Sequence, residues 1–119
     1  MSLVARHLEE RGIPTVLIGS AWDIVTHCRV PRFLFTDFPL GNPCGHPWQP
    51  DMQAAIVGQA LGMLEAAQAP GTIERAPFAW KDDPGWRQRY NLVTDENRAA
   101  LRALGDARRV QRGQPPRID

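Results

Sequence analysis

An α/β fold with parallel strands is the architecture this sequence predicts, and three observations predict it. Two short apolar runs, Thr15–Ile18 and Arg32–Asp37, lack the polar alternation of a half-exposed strand and suit strands covered on both faces. Amphipathic helical patterns stand before, between and after them, giving the order α-β-α-β-α. Pro and Gly punctuate the junctions at Gly12, Pro14, Pro31 and Pro70-Gly71. The expected product is a partial parallel sheet with right-handed crossovers and helices on both faces, followed by an aromatic-rich arm and a C-terminal helix.

Each element has a local reason. Ser2 is expected to cap a first helix striped by Leu3, Val4 and Leu8, with Gly12 as its left-handed stop. Pro14 blocks further helix, so Thr15-Val16-Leu17-Ile18 reads as strand. Ser20 is placed to cap a second helix, in which Ala21, Ile24, Val25 and Cys28 share one face and Pro31 ends the pattern. Arg32–Asp37 is the second strand. Asp51 is expected to cap a third helix reaching about Gln68, with Met52, Ala55, Ile56, Ala60, Met63 and Leu64 facing inward.

This α/β layer spans 1–70. Only two strands are legible in it, a poor core for a parallel sheet, so the chain is expected to borrow strands from a partner subunit, a second copy or a part of the protein outside these residues. Residues 71–93 read as an extended arm carrying Phe78, Trp80, Trp86 and Tyr90 among Pro77, Lys81, Asp82, Asp83 and Pro84. Thr94 caps a basic last helix over 94–112, whose apolar face is thin (Ala100, Leu101, Leu104, Ala107). A frayed tail, 113–119, follows.

Composition bounds the function. At 119 residues, 43% hydrophobic, 23% charged and net +1, the chain is globular, one domain at most, with no electrostatic reason to bind nucleic acid or anionic lipid. No apolar run is long enough to span a bilayer, and MSLVARHLEE reaches charge too early for a signal peptide core. Neither nucleic acid nor membrane is an expected partner. Two cysteines, Cys28 and Cys44, form no disulfide framework and no CxxC pair, so a cytoplasmic location is expected.

The candidate site lies at the carboxyl ends of the two strands, where ligands collect in open parallel sheets. Ser20, Asp37, Pro39, Leu40, Gly41 and Asn42 are the candidate substrate-binding residues. The N-termini of the second and third helices would favour a carboxylate or phosphate there, and a small carboxylate is the expected ligand. The loop after Asp37 holds Pro39, Pro43, Pro47 and Pro50 with Gly41 and Gly45, too many rigid corners for a floppy linker. Its structural alternative is that Ser20 caps a helix, Asp37 holds loop amides and the prolines turn a corner. There is no GxGxxG or phosphate-loop pattern, and no cofactor is expected. His27-Cys28 and Cys44-Gly45-His46 lack zinc spacing, so no metal ligand is assigned. Cys28 reads as a small core residue, and Cys44 as a thiol reactive only if exposed beside a helix N-terminus. His7 is expected on a solvated face and His27 beside Asp23. Trp22, Trp48, Trp80 and Trp86 read as core or interface anchors.

The string VARHLEERGIPTVLIG, then a short helix, then RVPRFLFTDFPLGNPCG and a further helix, resembles the C-terminal part of the selenoprotein B family. These are the substrate-reducing subunits of glycine, sarcosine, betaine and D-proline reductases, along with shorter relatives. The resemblance covers roughly Ser2 to Thr72. It implies a redox-active selenocysteine or cysteine pair just before the helix that begins at Ser2, attacking the substrate's activated carbon to release an amine or open a ring. That motif maps onto no residue here, so no catalytic residue is assigned. The chain is expected to be either a fragment or a small natural relative of such a reductase, working as a homo-oligomer or beside another reductase subunit. The alternative expectation is a non-enzymatic assembly module docking through its arm and last helix.

Overall fold

A computed structural model describes residues 1–80, 85–90 and 92–115. Lys81, Asp82, Asp83 and Pro84 of the expected arm, Asn91, and the end of the expected frayed tail lie outside the described residues. The chain divides into two compact units, Met1–Pro84 and Gly85–Asp119.

The first unit runs α1 (Ser2–Glu9), β1 (Leu17–Gly19), α2 (Trp22–His27), β2 (Arg32–Phe35), α3 (Pro50–Ala66) and β3 (Thr72–Arg75). The strands form one parallel sheet in the order β1-β2-β3. Leu17, Ile18 and Gly19 face Phe33, Leu34 and Phe35, and Arg32 to Phe35 face Thr72 to Arg75. The α/β class and the two-sided cover follow the expectation. The third strand does not. Thr72-Ile73-Glu74-Arg75 alternates half-buried and exposed side chains, so it lacks the apolar run that marked the other two. Its alternation is the usual signature of a strand with one covered face.

Because β2 is central, both its faces are buried. Leu34 packs with Phe38, Ile56, Ala60, Met63 and Ala76, supported by Val16, Ile18, Met52, Phe78 and Trp80. Phe33 packs on the opposite face with Val25 and Val30, supported by Leu17 and Phe35. Thus α3 covers one face and α2 the other. Strands laid side by side in the order 1-2-3 can have helices on opposite faces only if the two crossovers differ in hand. One of them therefore departs from the expected right-handed form.

Helix ends differ from the expectation in detail. Gly12 is left-handed (φ 79°) and closes α1 as expected. Ser2 lies inside α1 behind Met1, and Ala21, not Ser20, precedes α2; neither helix has a side-chain cap. Helix α3 begins at Pro50, whose fixed φ suits the first helical position, leaving Asp51 in the first turn beside the positive end of the dipole. On α3, Ile56, Ala60 and Met63 are buried as expected, whereas Ala55 is exposed. On α2 only Val25 is buried and Ile24 is exposed, since so short a helix makes little more than one core contact.

The Arg32 guanidinium reaches Glu9 Oε1 at 2.8 Å, and the same carboxylate accepts from the Thr15 amide and hydroxyl. This cluster ties the end of α1 to the foot of the sheet. The second unit holds α4 (Trp86–Arg89) and α5 (Asp95–Gln111). Thr94 caps α5 as expected, in a reciprocal box with Asn97. Among the described residues no helix is long and apolar enough to cross a membrane.

The burial pattern sets a stability contrast. Leu34→Ala should lower the unfolding free energy by about 2–5 kcal/mol, read as a shifted urea midpoint at unchanged slope. Leu61→Ala, on the exposed side of α3, should cost less than about 0.5 kcal/mol.

Candidate functional site

The carboxyl ends of all three strands share one rim. The Thr36 amide donates to the Gly19 carbonyl at 2.9 Å, and the Ala76 amide to the Phe35 carbonyl at 2.9 Å, extending both ladders past the strands proper. Ser20 follows β1 and Asp37 follows β2 on this rim. Register then places Arg75, opposite Phe35, beside Asp37. Arg75 Nη2 donates to Asp37 Oδ2 at 2.7 Å. The Arg75 guanidinium also stands 5.3 Å from the centre of the Phe35 ring.

Beyond Asp37 the chain makes a run of hydrogen-bonded turns. The Phe38 amide bonds back to the Thr36 carbonyl at 2.9 Å, burying Phe38 and Pro39. Turns then close from Asn42 N–H to Pro39 C=O at 3.1 Å, from Gly45 to Asn42 at 3.2 Å and from Gln49 to His46 at 3.4 Å. Pro43 and Pro47 occupy the second positions of the latter two, where their fixed φ is already correct. Gly41 (φ 96°) takes the left-handed third position of the first turn. The corresponding position of the last turn is held by Trp48 (φ 63°), whose side chain is 96% exposed. A left-handed non-glycine residue costs roughly 1–2 kcal/mol.

The loop is fastened from inside. His46 stacks on Trp80 with ring centroids 3.8 Å apart and planes 16° from parallel. His46 Nε2 donates to the Trp80 carbonyl, which requires the tautomer protonated at that nitrogen. Trp80 also packs against Phe38, and Gln53 of α3 donates to the His46 carbonyl at 2.7 Å. Gly45 sits so close to α3 that a Cβ there would lie 2.8 Å from Met52 Sδ and 3.3 Å from Ile56 Cδ1. Cys44 and Cys28 are each half-buried. His7 and His27 are exposed. Among the described residues no group of three His, Cys, Asp or Glu side chains gathers as a metal site requires.

On the α2 side of the rim a cavity of about 440 Å³ opens between Trp22, Phe35, Asp37, Ile73, Glu74 and Arg75. The Trp22 ring meets Phe35 edge-on at 5.1 Å. Of the sequence-derived candidates, only Asp37 lines this cavity. Arg75 is the neighbour that sequence reasoning missed, because it lies 38 residues from Asp37 and approaches it only through the register between β2 and β3. With Ile73 its one apolar residue, the segment Thr72–Arg75 carried little signal for a strand.

A parallel α/β layer with a rigid loop at its carboxyl rim is thus the class that fold and site define. The chain is similar to D-proline reductase subunit gamma of Acetoanaerobium sticklandii, with 33% identity over 78 residues. The match covers 66% of this chain but 32% of the relative, so the chain spans about a third of that protein's length. The similarity supports a distant relationship to that reductase family. No family profile and no solved structure matches the chain.

The loop geometry yields a paired prediction. Gly45→Ala should destabilise by about 2–3 kcal/mol, since it adds overpacking to a left-handed backbone. Gly41→Ala, also left-handed but with no atom within 4 Å of the new Cβ, should cost about 1–2 kcal/mol. Urea unfolding of both variants checks the difference.

Proposed function

We propose that this chain is a small relative, or a portion, of a selenoprotein B-like reductase, contributing one wall of a substrate site. The redox residue of the reaction is not among these 119 residues, whose two cysteines form no close pair. The loop from Asp37 to Asn42 shapes the site, with Ser20 on the adjoining rim, and a small carboxylate is the ligand class it serves. One observation carries this reading. The loop is pinned on its inner side by His46, Trp80 and Gly45, yet it turns Leu40 and a strained Trp48 outward into solvent. Rigid apolar side chains held outward suit a surface completed by another subunit, where tryptophan is a favoured anchor. The similarity to a protein named as a reductase subunit supports the same partner.

Dithiol-dependent reduction of D-proline and glycine, assayed with the chain alone and then mixed with reductase subunits carrying the selenocysteine or cysteine pair, tests this. The chain alone should be inactive, and the mixture should turn over. Trp48→Gly should fold at least as stably as the parent yet lower turnover in the mixture by roughly tenfold or more, the loss expected of an interface anchor. Robust reduction by the chain alone, or a mixture indifferent to it, would overturn the proposal.

A second reading, an assembly module, is favoured by α5. Its own unit buries none of its side chains, leaving Leu101 and Leu104 exposed on a helix rich in arginine. Such a helix ordinarily draws its stability from tertiary packing. Sedimentation should then show the chain self-associating and the double variant Leu101→Asp, Leu104→Asp monomeric. A monomeric parent chain would dismiss self-association.

A further inference from the structure

The cavity beside Asp37 has a charge arrangement that identifies its ligand more narrowly than the loop does. Its floor is apolar: Trp22 and Phe35 meet edge to face, and Ile73 lies across from them on the α2 side of β3, with more than a third of its surface exposed. Glu74 also lines the cavity, but its carboxylate accepts from Gln59 of α3 at 3.0 Å. The helix α2 covers Phe33 on this face but leaves the part over Ile73 open, and a second hollow of about 320 Å³ continues past Ile73 toward Pro70. At the rim stands the Arg75 guanidinium. It is fixed on one side by Asp37 Oδ2 at 2.7 Å and from below by the Phe35 ring, while 65% of the side chain remains exposed. Asp37 itself is only 21% exposed. The cation is therefore held in place by a largely covered carboxylate and presents itself at the mouth of an apolar slot.

We propose that this groove binds a carboxylate attached to an aromatic or branched apolar body. The carboxylate accepts from the planar guanidinium of Arg75, and the body lies on Trp22 and Ile73. Asp37 positions Arg75 and does not itself need to touch the ligand. Both halves of the ligand are required. The ion pair partly neutralises Arg75, and an exposed charge contact is weak by itself, so a bare carboxylate gains little. An uncharged body gains apolar contact but adds no second anion to the guanidinium, whose planar fork has donors beyond the one that Asp37 takes. The proposal rests on the reading of the Asp37 rim as the ligand-facing end of the sheet. It adds the residue that holds the carboxylate, and it extends the ligand beyond the smallest carboxylates.

Titration of the isotope-labelled full chain with 3-phenylpropanoate, 3-phenylpropanol and acetate, followed by nuclear magnetic resonance, tests it. The first should bind saturably with a dissociation constant of about 1 mM or tighter, the scale expected for an 11-atom ligand of ordinary efficiency. It should shift the Trp22 indole and Arg75 side-chain signals and give phenyl-to-Trp22 and phenyl-to-Ile73 cross-relaxation. The other two should bind at least tenfold more weakly. Arg75→Gln should weaken 3-phenylpropanoate about tenfold, with Arg75→Lys between it and the parent. Equal binding of the alcohol, an unaffected Arg75→Gln, or phenyl contacts elsewhere would overturn the proposal. The wild-type cross-relaxation decides the matter even if Arg75→Gln fails to fold. Because binding is read on this chain alone, a failed reconstitution with reductase subunits leaves the groove standing. An empty groove leaves the reductase relationship standing.

Discussion

The burial of β2 on both faces is the constraint from which the first unit follows. Phe33 and Leu34 are adjacent and wholly buried, and in a strand adjacent side chains point to opposite faces. Two cores must therefore exist, one under each residue. Helix α3 meets Leu34 with Ile56, Ala60 and Met63, and α2 meets Phe33 with Val25. The strand needs a neighbour on each edge as well, since its amides and carbonyls are buried with it. β1 and β3 supply them. Everything at the carboxyl rim inherits its position from this arrangement.

The rim shows how core packing becomes site geometry. Arg75 reaches Asp37 only because β3 pairs with β2 in a register that sets Arg75 opposite Phe35. The same pairing puts Phe35 under the guanidinium and Ile73 opposite the buried Phe33. On the other face, Glu74 pairs with Leu34 and accepts a hydrogen bond from Gln59 of α3 at 3.0 Å. The edge strand thus uses its polar side chains to hold α3 and the rim, and leaves its one large apolar residue half covered. The Thr36 hydroxyl, fully buried just below the rim, has no hydrogen-bond partner among the described residues. An unpaired buried hydroxyl is destabilising, so the end of β2 retains a polar atom at some cost to the fold.

The PLGNP loop departs from ordinary surface loops for a related reason. Its corners are closed by backbone hydrogen bonds, and its middle is pressed on α3 at Gly45 and on Trp80 through His46. Trp80 belongs to the stretch that reads in the sequence as an arm pinned by its aromatics onto its own domain or a neighbour, and with Phe78 it packs onto the Leu34 core. The residues after β3 therefore help fix the loop after β2.

Local sequence determined much of this molecule. The apolar run around Phe33 and Leu34 specified a two-sided strand, Gly12 and Thr94 marked helix ends, and the spacing of Ile56, Ala60 and Met63 oriented α3. Prolines and glycines between Asp37 and Pro50 announced a stiff loop, because their backbone preferences act within a few residues. What tertiary structure alone decided was non-local. Strand β3 carries too few apolar residues to declare itself and exists because β2 offers it a ladder. The differing hands of the crossovers, the seat of His46 on Trp80, and the meeting of Arg75 with Asp37 have the same origin. Each depends on which strands become neighbours and in what register, and no short stretch of sequence encodes that, because the contacts join segments far apart along the chain.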